Sequence, residues 1–246
     1  MRSNDVLPAS HLEVTPKIAR QMSGRCNLPE DFSATWKDSW TGDRCVILAN
    51  GPSLPSATDL ARIDCPVVGV NRSFLRRTSD VHVVVDKLHV GSYGHLLRDL
   101  MPDALRFTRY AARDCWTPMR LHYGVMKGLG RALLPDIADE GWITVGAGMA
   151  ALQIAAWLGF KEIIFCGLDL RHDGQHFYDE PPWMVDHLAE HHLAVLERQR
   201  EYLQLVRPEL DQQGIKVINT VMDAGEYVLT KIRFDALWPE KVDGES

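Results

Sequence analysis

The stretch 45–54, CVILANGPSL, runs from a continuous apolar segment straight into Asn-Gly-Pro-Ser; whether that is a corner or a strand end facing a ligand decides the fold. A run apolar on both faces suits a strand of a parallel sheet covered by helices. Two more follow at intervals of about 15 to 20 residues, PVVGV (66–70) and VHVVV (81–85). Between and after them, SATDLARI (56–63) predicts a short helix capped by Ser56 or Thr58, and HVGSYGHLLRDLM (89–101) a longer one ending at Pro102. The second half repeats the alternation. GAGMAALQIAAWLGF (146–160) reads as a buried helix packed closely at its glycine-rich start, KEIIFCGLDL (161–170) as a strand, MVDHLAEHHLAVLERQREYLQLV (184–206) as a long helix after Pro182, and IKVINT (215–220) as a final strand. This order predicts an α/β fold, a Rossmann-like, doubly wound, mainly parallel sheet with helices on both faces. The expected organisation is an N-terminal arm over 1–40, pinned by Trp36 and Trp40, and a single domain over 41–246. The polar, turn-rich RHDGQHFYDEPP, at about 171–182, forms a short lid insertion.

A chain of 246 residues that is 46% hydrophobic can bury the core of one such domain. Its 27 Lys and Arg against 33 Asp and Glu leave a net charge of −6, so no overall positive field gathers a polyanion. Nucleic acid is therefore not an expected partner, while a local pocket for one small phosphate stays open. The five cysteines are odd in number and form no CxxC pair, the pattern of reduced intracellular thiols. The first residues, MRSNDVLPASHLEV, contain no apolar run of signal-peptide length, and no transmembrane-length apolar run occurs anywhere. The expectation is a cytoplasmic protein, with peripheral membrane contact and a homo-oligomer both left open.

In an open α/β sheet, ligands bind beyond the carboxyl ends of the strands. The residues after each apolar run are therefore the first candidates: Asn50, Gly51, Pro52 and Ser53, then Asn71 and Arg72, Asp86, Gly167 and Asp169, and Asn219. The chemistry expected there is nucleotide recognition. Gly51 lets backbone approach a ligand, Ser53 and nearby N–H groups meet a phosphate, and asparagine amides offer both donor and acceptor. Alone, NGPS is equally a tight turn with a helix cap; Asn71, Asp86 and Asp169 at neighbouring strand ends tip the reading towards a site. No GxxxxGK[ST] occurs, and Gly146 and Gly148 in GAGMAA do not make a GxGxxG directly after a strand.

His187 to His191, HLAEH, fits the H-x-x-E-H of inverted zinc peptidases. A third ligand would have to come from the strand and tail beyond it, so a solvated helix face is the plainer reading and no metal site is expected. His176 lies beside Phe177 and Tyr178, seven residues after Asp169. An imidazole there can act as general base and a tyrosine hydroxyl can stabilise a departing phosphate, with an exposed loop histidine as the alternative. Asp86 would serve as a metal carboxylate if the ligand were a nucleoside di- or triphosphate, and Asp169 with Asp173, four apart, could share a divalent ion.

Assembled in order, VILANGPSL, VGVNRSF, VVVDK, GFKEIIFCGLDL followed by DG and HFY, and GIKVINT span roughly 44–220 and resemble the family 42 bacterial sialyltransferases. The resemblance extends to the related motility-associated nonulosonate transferases and 6-hydroxymethylpterin diphosphokinase-like proteins. It implies that Asn50 and Asn71 help hold a cytidine nucleotide donor, with Asp86 at another polar donor contact. Gly146 and Gly148 match a Thr-Ser-Gly segment lying against the nucleotide, and Gly167 and Asp169 match the family motif. Of two family tyrosines on the leaving phosphate, Arg171 stands at the first position and Phe177 or Tyr178 near the second. The family base is a histidine before the long helix, for which His176 and His187 both compete.

The leading expectation is a glycosyltransferase using a nucleotide-activated sugar, specifically a CMP-linked sialic or other nonulosonic acid, and a glycan or other hydroxyl acceptor, with no obligatory cofactor. Two rivals stand beside it: a Mg-dependent diphosphokinase of the pterin type using ATP, and a nucleotide-binding module without catalysis.

Overall fold

The computed structural model describes residues 36–40, 42–85, 87–108, 117–118, 121–122, 134, 142–143, 145–171, 176–178 and 182–240; within these, side chains at 87–88, 90–92, 117–118, 121–122, 142–143 and 182–192 are not described. In chain order the elements are β1 (Arg44–Leu48), α1 (Ala57–Leu60), β2 (Val67–Val70), β3 (Val81–Val84), α2 (Lys87–Leu100), β4 (Leu105–Thr108), β5 (Thr117–Pro118), β6 (Leu121–His122), β7 (Trp142–Ile143), α3 (Ala147–Leu158), β8 (Glu162–Cys166), α4 (Pro182–Gln212), β9 (Lys216–Asn219), β10 (Thr230–Lys231) and α5 (Phe234–Leu237). Eight strands form one sheet in the order β10-β9-β8-β1-β2-β3-β4-β5, and all its described pairings are parallel. β6 and β7 make a separate parallel pair.

The two-sided apolar runs are explained by cover on both faces. Cys45 and Ile47 of β1 join Val68, Val83, Ile163 and Phe165 against α3 and α4, whereas Val46 and Leu48 join Val67, Ile164 and Cys166 against Leu54, Leu60 and Trp238. A side chain such as Ile47, with no exposed surface, contributes about 1.5–3 kcal/mol by leaving water. Every residue of α3 except Gly148 is buried, as a helix apolar nearly all round requires. Its outer end is covered by residues 36–40: Asp38 N donates to the Trp157 carbonyl (3.1 Å), Trp40 N to that of Leu158 (3.2 Å), and the Trp40 ring tilts onto Phe160 at 5.5 Å. Trp36 is itself buried, so the short segment just before β1 packs against α3 and Phe160. The remainder of the expected arm lies outside the described residues.

Some elements differ from expectation. α1 is only four residues long, and Ser56, not Thr58, caps it by accepting from Asp59 N at 3.2 Å. Pro182 is the first residue of α4, where its missing N–H costs nothing, and that helix runs on to Gln212 through Pro208. β4 escapes a reading based on apolar runs because Arg106 sits inside it, 5% exposed, donating to the Met101 carbonyl at 3.4 Å. β5, β6, β7 and β10 have two residues each, too short for any periodicity to show. No described helix is long and apolar enough to cross a membrane.

Candidate functional site

The chain builds outwards from β1 through β2, β3, β4 and β5, then returns to the other flank of β1 with β8, β9 and β10. The switch of direction lies between β1 and β8, where open α/β sheets form a crevice at the carboxyl ends. Gly51, Ser53, Gly167 and Asp169 all converge there. They converge on one another: Gly51 N donates to the Gly167 carbonyl (2.9 Å), and Ser53 donates to Asp169 Oδ2 through Oγ (2.7 Å) and N (3.3 Å). Gly51 does admit a close neighbour, but that neighbour is the Asp169 carboxylate, whose Oδ2 would lie 1.9 Å from any Cβ placed at position 51. Gly167 adopts φ +75, and a Cβ there would meet the Leu54 Cβ at 2.9 Å. The four residues therefore clamp β1 to β8. Arg171 pairs with Asp223 and comes within 3.9 Å of Asp169 Oδ1.

Asn219 is likewise turned inwards. Its amide donates to the Leu168 carbonyl and the Glu226 carboxylate, both at 3.0 Å, and its Oδ1 accepts from Val221 N (3.1 Å).

A second arrangement lies on the other flank of β1, towards β2. Asn50, 8% exposed, donates from Nδ2 to the Val70 carbonyl (3.2 Å), while its Oδ1 has no hydrogen-bond partner among the described residues. Its backbone carbonyl accepts from Phe177 N (3.0 Å) and lies 3.3 Å from His176 Nδ1. A carbonyl can only accept, so that contact places the proton on Nδ1 and makes Nε2 the basic nitrogen of a neutral His176.

Asn71, at the end of β2, sits at φ +47, a left-handed conformation that asparagine tolerates better than most residues. Its N–H donates to the Val83 carbonyl (3.0 Å), and its own carbonyl accepts from His82 Nε2 (2.9 Å). The Asn71 Oδ1 is a second buried acceptor without a partner among the described residues. Next to it, the buried Arg72 guanidinium lies between two phenol rings, 5.0 Å from the Tyr93 centroid and 4.5 Å from that of Tyr178. Contacts of this kind set the cation against the negative faces of both rings. Tyr178 stacks in turn on His176 (5.0 Å, 23°), and Arg76 covers Phe177 at 5.2 Å.

Asn50, Asn71, Arg72, His176 and Tyr178 of the expected residues thus gather at the β1–β2 edge. The set offers two amide oxygens to hydroxyl or amino groups, a cation and phenol to an anion, and an imidazole to a proton. Gly146 caps α3 at φ +126 with Gln199 Nε2 2.5 Å from where a Cβ would be, and a Cβ at Gly148 would have nothing nearer than Leu168 Cδ1 at 3.7 Å. Asp86 and Asp173 lie outside the described residues, and the side chain of His187 is not described. Among the described residues no group of three His, Cys, Asp or Glu is placed to hold a metal ion. Sequence reasoning passed over His82 and Ser79, although a glycine in the middle of β2 and a histidine in the middle of β3 were visible signals.

No protein-family model matches the chain, and neither does any curated protein. Among solved structures it is similar to a tyrosine-to-phenylalanine variant of the sialyltransferase CST-II in complex with CMP, at 13% identity and a TM-score of 0.39 over 82% of this chain and 90% of that one. The sialyltransferase CstII from Campylobacter jejuni with the substrate analogue CMP-3FNeuAc matches at 13% identity and TM-score 0.35, over 78% and 86%. CST-II with a trisaccharide acceptor and CMP matches at 14% and 0.32, over 72% and 80%. Likeness at this distance assigns neither residues nor activity.

Proposed function

We propose that the chain is a glycosyltransferase whose donor is a nucleotide-activated sugar, a CMP-linked sialic or other nonulosonic acid, and whose acceptor is a glycan or other hydroxyl compound. The observation that carries the reading is Asn50: a buried amide at the end of the central strand that, among the described residues, is held by one hydrogen bond with its acceptor oxygen left over. Burying such an oxygen without a partner costs about 1–3 kcal/mol, a cost that a ligand donating to it would remove. Ribose hydroxyls and an exocyclic base amine are donors of that kind, and Asn71 Oδ1 provides a second acceptor at the adjacent strand end. In this reading His176 Nε2 takes the proton of the acceptor hydroxyl as its oxygen bonds to the sugar carbon. The sugar–phosphate bond breaks, and the nucleotide monophosphate leaves against the charge of Arg72 and the Tyr178 hydroxyl. Positioning and charge stabilisation do most of this work, and the base contributes less.

Thermal unfolding with CMP, UDP, GDP and ATP, each with EDTA or Mg²⁺, tests the reading. A nucleotide at 100 times its Kd stabilises by about 2.7 kcal/mol. For a chain of this size that is about 5–10 °C in Tm. CMP is expected to give this shift in EDTA, and Asn50→Ala to remove it. A shift given by ATP only with Mg²⁺, or no shift with any of the four, overturns the proposal.

A further inference from the structure

Under the β1–β2 edge lies a polar cluster that the reaction above does not use. His82, on β3 and fully buried, faces Gly69 of β2 in register. Its Nδ1 is 2.9 Å from Ser79 Oγ and its Nε2 is 2.9 Å from the Asn71 carbonyl. The carbonyl fixes the proton on Nε2, so Nδ1 accepts from the serine hydroxyl. Gly69 exists for this cluster: a Cβ there would lie 2.7 Å from His82 Nδ1, 2.7 Å from Ser79 Oγ and 2.8 Å from Ser73 Oγ. A fully buried imidazole, with a sheet glycine conceded to house it, is a costly substitute for another valine. What it secures is the backbone of Asn71, held at positive φ by His82 on its carbonyl and by Val83 on its N–H.

We infer that His82 is a positioning residue for the ligand edge: by donating from Nε2 to the Asn71 carbonyl it holds Asn71 in its left-handed conformation and so aims the Asn71 amide oxygen at the nucleotide, with the Ser79 hydroxyl partnering the imidazole's other nitrogen. This rests on the nucleotide-site reading above. His82 itself touches no ligand. Its removal should loosen binding through Asn71, and a side chain that restores a donor at the Nε2 position should restore binding even where stability stays low.

The test measures CMP affinity by calorimetry, and Tm, on the full chain carrying His82→Leu, His82→Gln, His82→Asn or Asn50→Ala. His82→Leu and His82→Asn, whose amide is too short to reach, should weaken CMP about tenfold or more, while His82→Gln stays within about threefold of the parent. All three should lower Tm, so affinity that merely follows Tm through the series overturns the inference. If His82→Leu does not fold, the Asn and Gln variants decide the matter. Imidazole ¹⁵N resonances of the parent at neutral pH should show Nε2 protonated; a proton on Nδ1 also overturns it. CMP binding within about twofold of the parent in the Leu or Asn variant, while Asn50→Ala has lost it, sinks the role of His82 alone. CMP binding that survives Asn50→Ala sinks the nucleotide site itself.

Discussion

Replacing Gly51 by alanine is expected to cost about 3 kcal/mol or more, because overpacking and a disrupted buried hydrogen bond both contribute. The added methyl would stand 1.9 Å from Asp169 Oδ2, 2.7 Å from its Cγ and 2.6 Å from the Gly167 carbonyl oxygen. The carbonyl cannot retreat, since it accepts from Gly51 N at 2.9 Å as part of the clamp between β1 and β8. The carboxylate can retreat only by leaving Ser53, whose hydroxyl and N–H it accepts. In a chain of this length the loss corresponds to about 6–12 °C in Tm. Trimming Asp169 to alanine in the same chain should recover part of the loss, because two of the three close contacts vanish. Gly148→Ala is the control: its nearest contact of 3.7 Å is ordinary, so it should remain within about 0.5 kcal/mol of the parent or gain slightly. Equal destabilisation of the two variants in urea would contradict the clamp.

Acid should weaken the fold well before most carboxylates titrate. Burial pushes His82 down to about 4 from its ordinary 6.5, opposed by its bond to the Asn71 carbonyl and reinforced by the nearby Arg106 and His89. The unfolded chain therefore takes up a proton at this position at higher pH than the folded chain does. Stability contributed by the neutral ring is whole above pH 6.5, falls as pH drops and is exhausted below about 4, a total of about 3 kcal/mol of which about 2 is gone by pH 5. Other groups act lower down. Asp59 and Glu162, held below their ordinary values by Ser56 and by Lys216 and Arg44, add to the loss in the carboxylate range, whereas Asp80, raised by burial, offsets it. Urea midpoints for the parent and His82→Gln at pH 7 and pH 5 isolate the histidine. The parent should lose about 2 kcal/mol more than the variant between those values, and parallel losses would refute the assignment.

The sheet was legible because its central strands are apolar on both faces, and no other common architecture demands that of CVILA, PVVGV, VHVVV and EIIFC at once. LRFT failed the same criterion through Arg106, whose burial depends on a partner in the chain segment before it. Around the proposed site, the strand-end rule selected Asn50 and Asn71 but could not separate them from Ser53 and Asp169, which bond to each other, or from Asn219, which is held by Leu168, Val221 and Glu226. Which polar side chain is already occupied depends on neighbours more than a hundred residues distant, as Ser53 and Asp169 are. Sequence order contains no sign of that pairing. His82 was missed for the opposite reason: a histidine inside an apolar run looks like an interruption, and only its register with Gly69 reveals that room was made for it.

β1, between β8 and β2 and with Cys45 to Leu48 wholly buried, is a part of the chain whose amides are expected to exchange with solvent only when the molecule as a whole comes apart. The two-residue strands at the margins, β5 and β10, are expected to open far more often. Asn50 is two residues from the end of β1, and its carbonyl holds Phe177. The proposed ligand edge is thus anchored beside one of the most deeply buried strands of the fold, where fluctuations at the periphery are expected to come and go without disturbing the Asn50 amide.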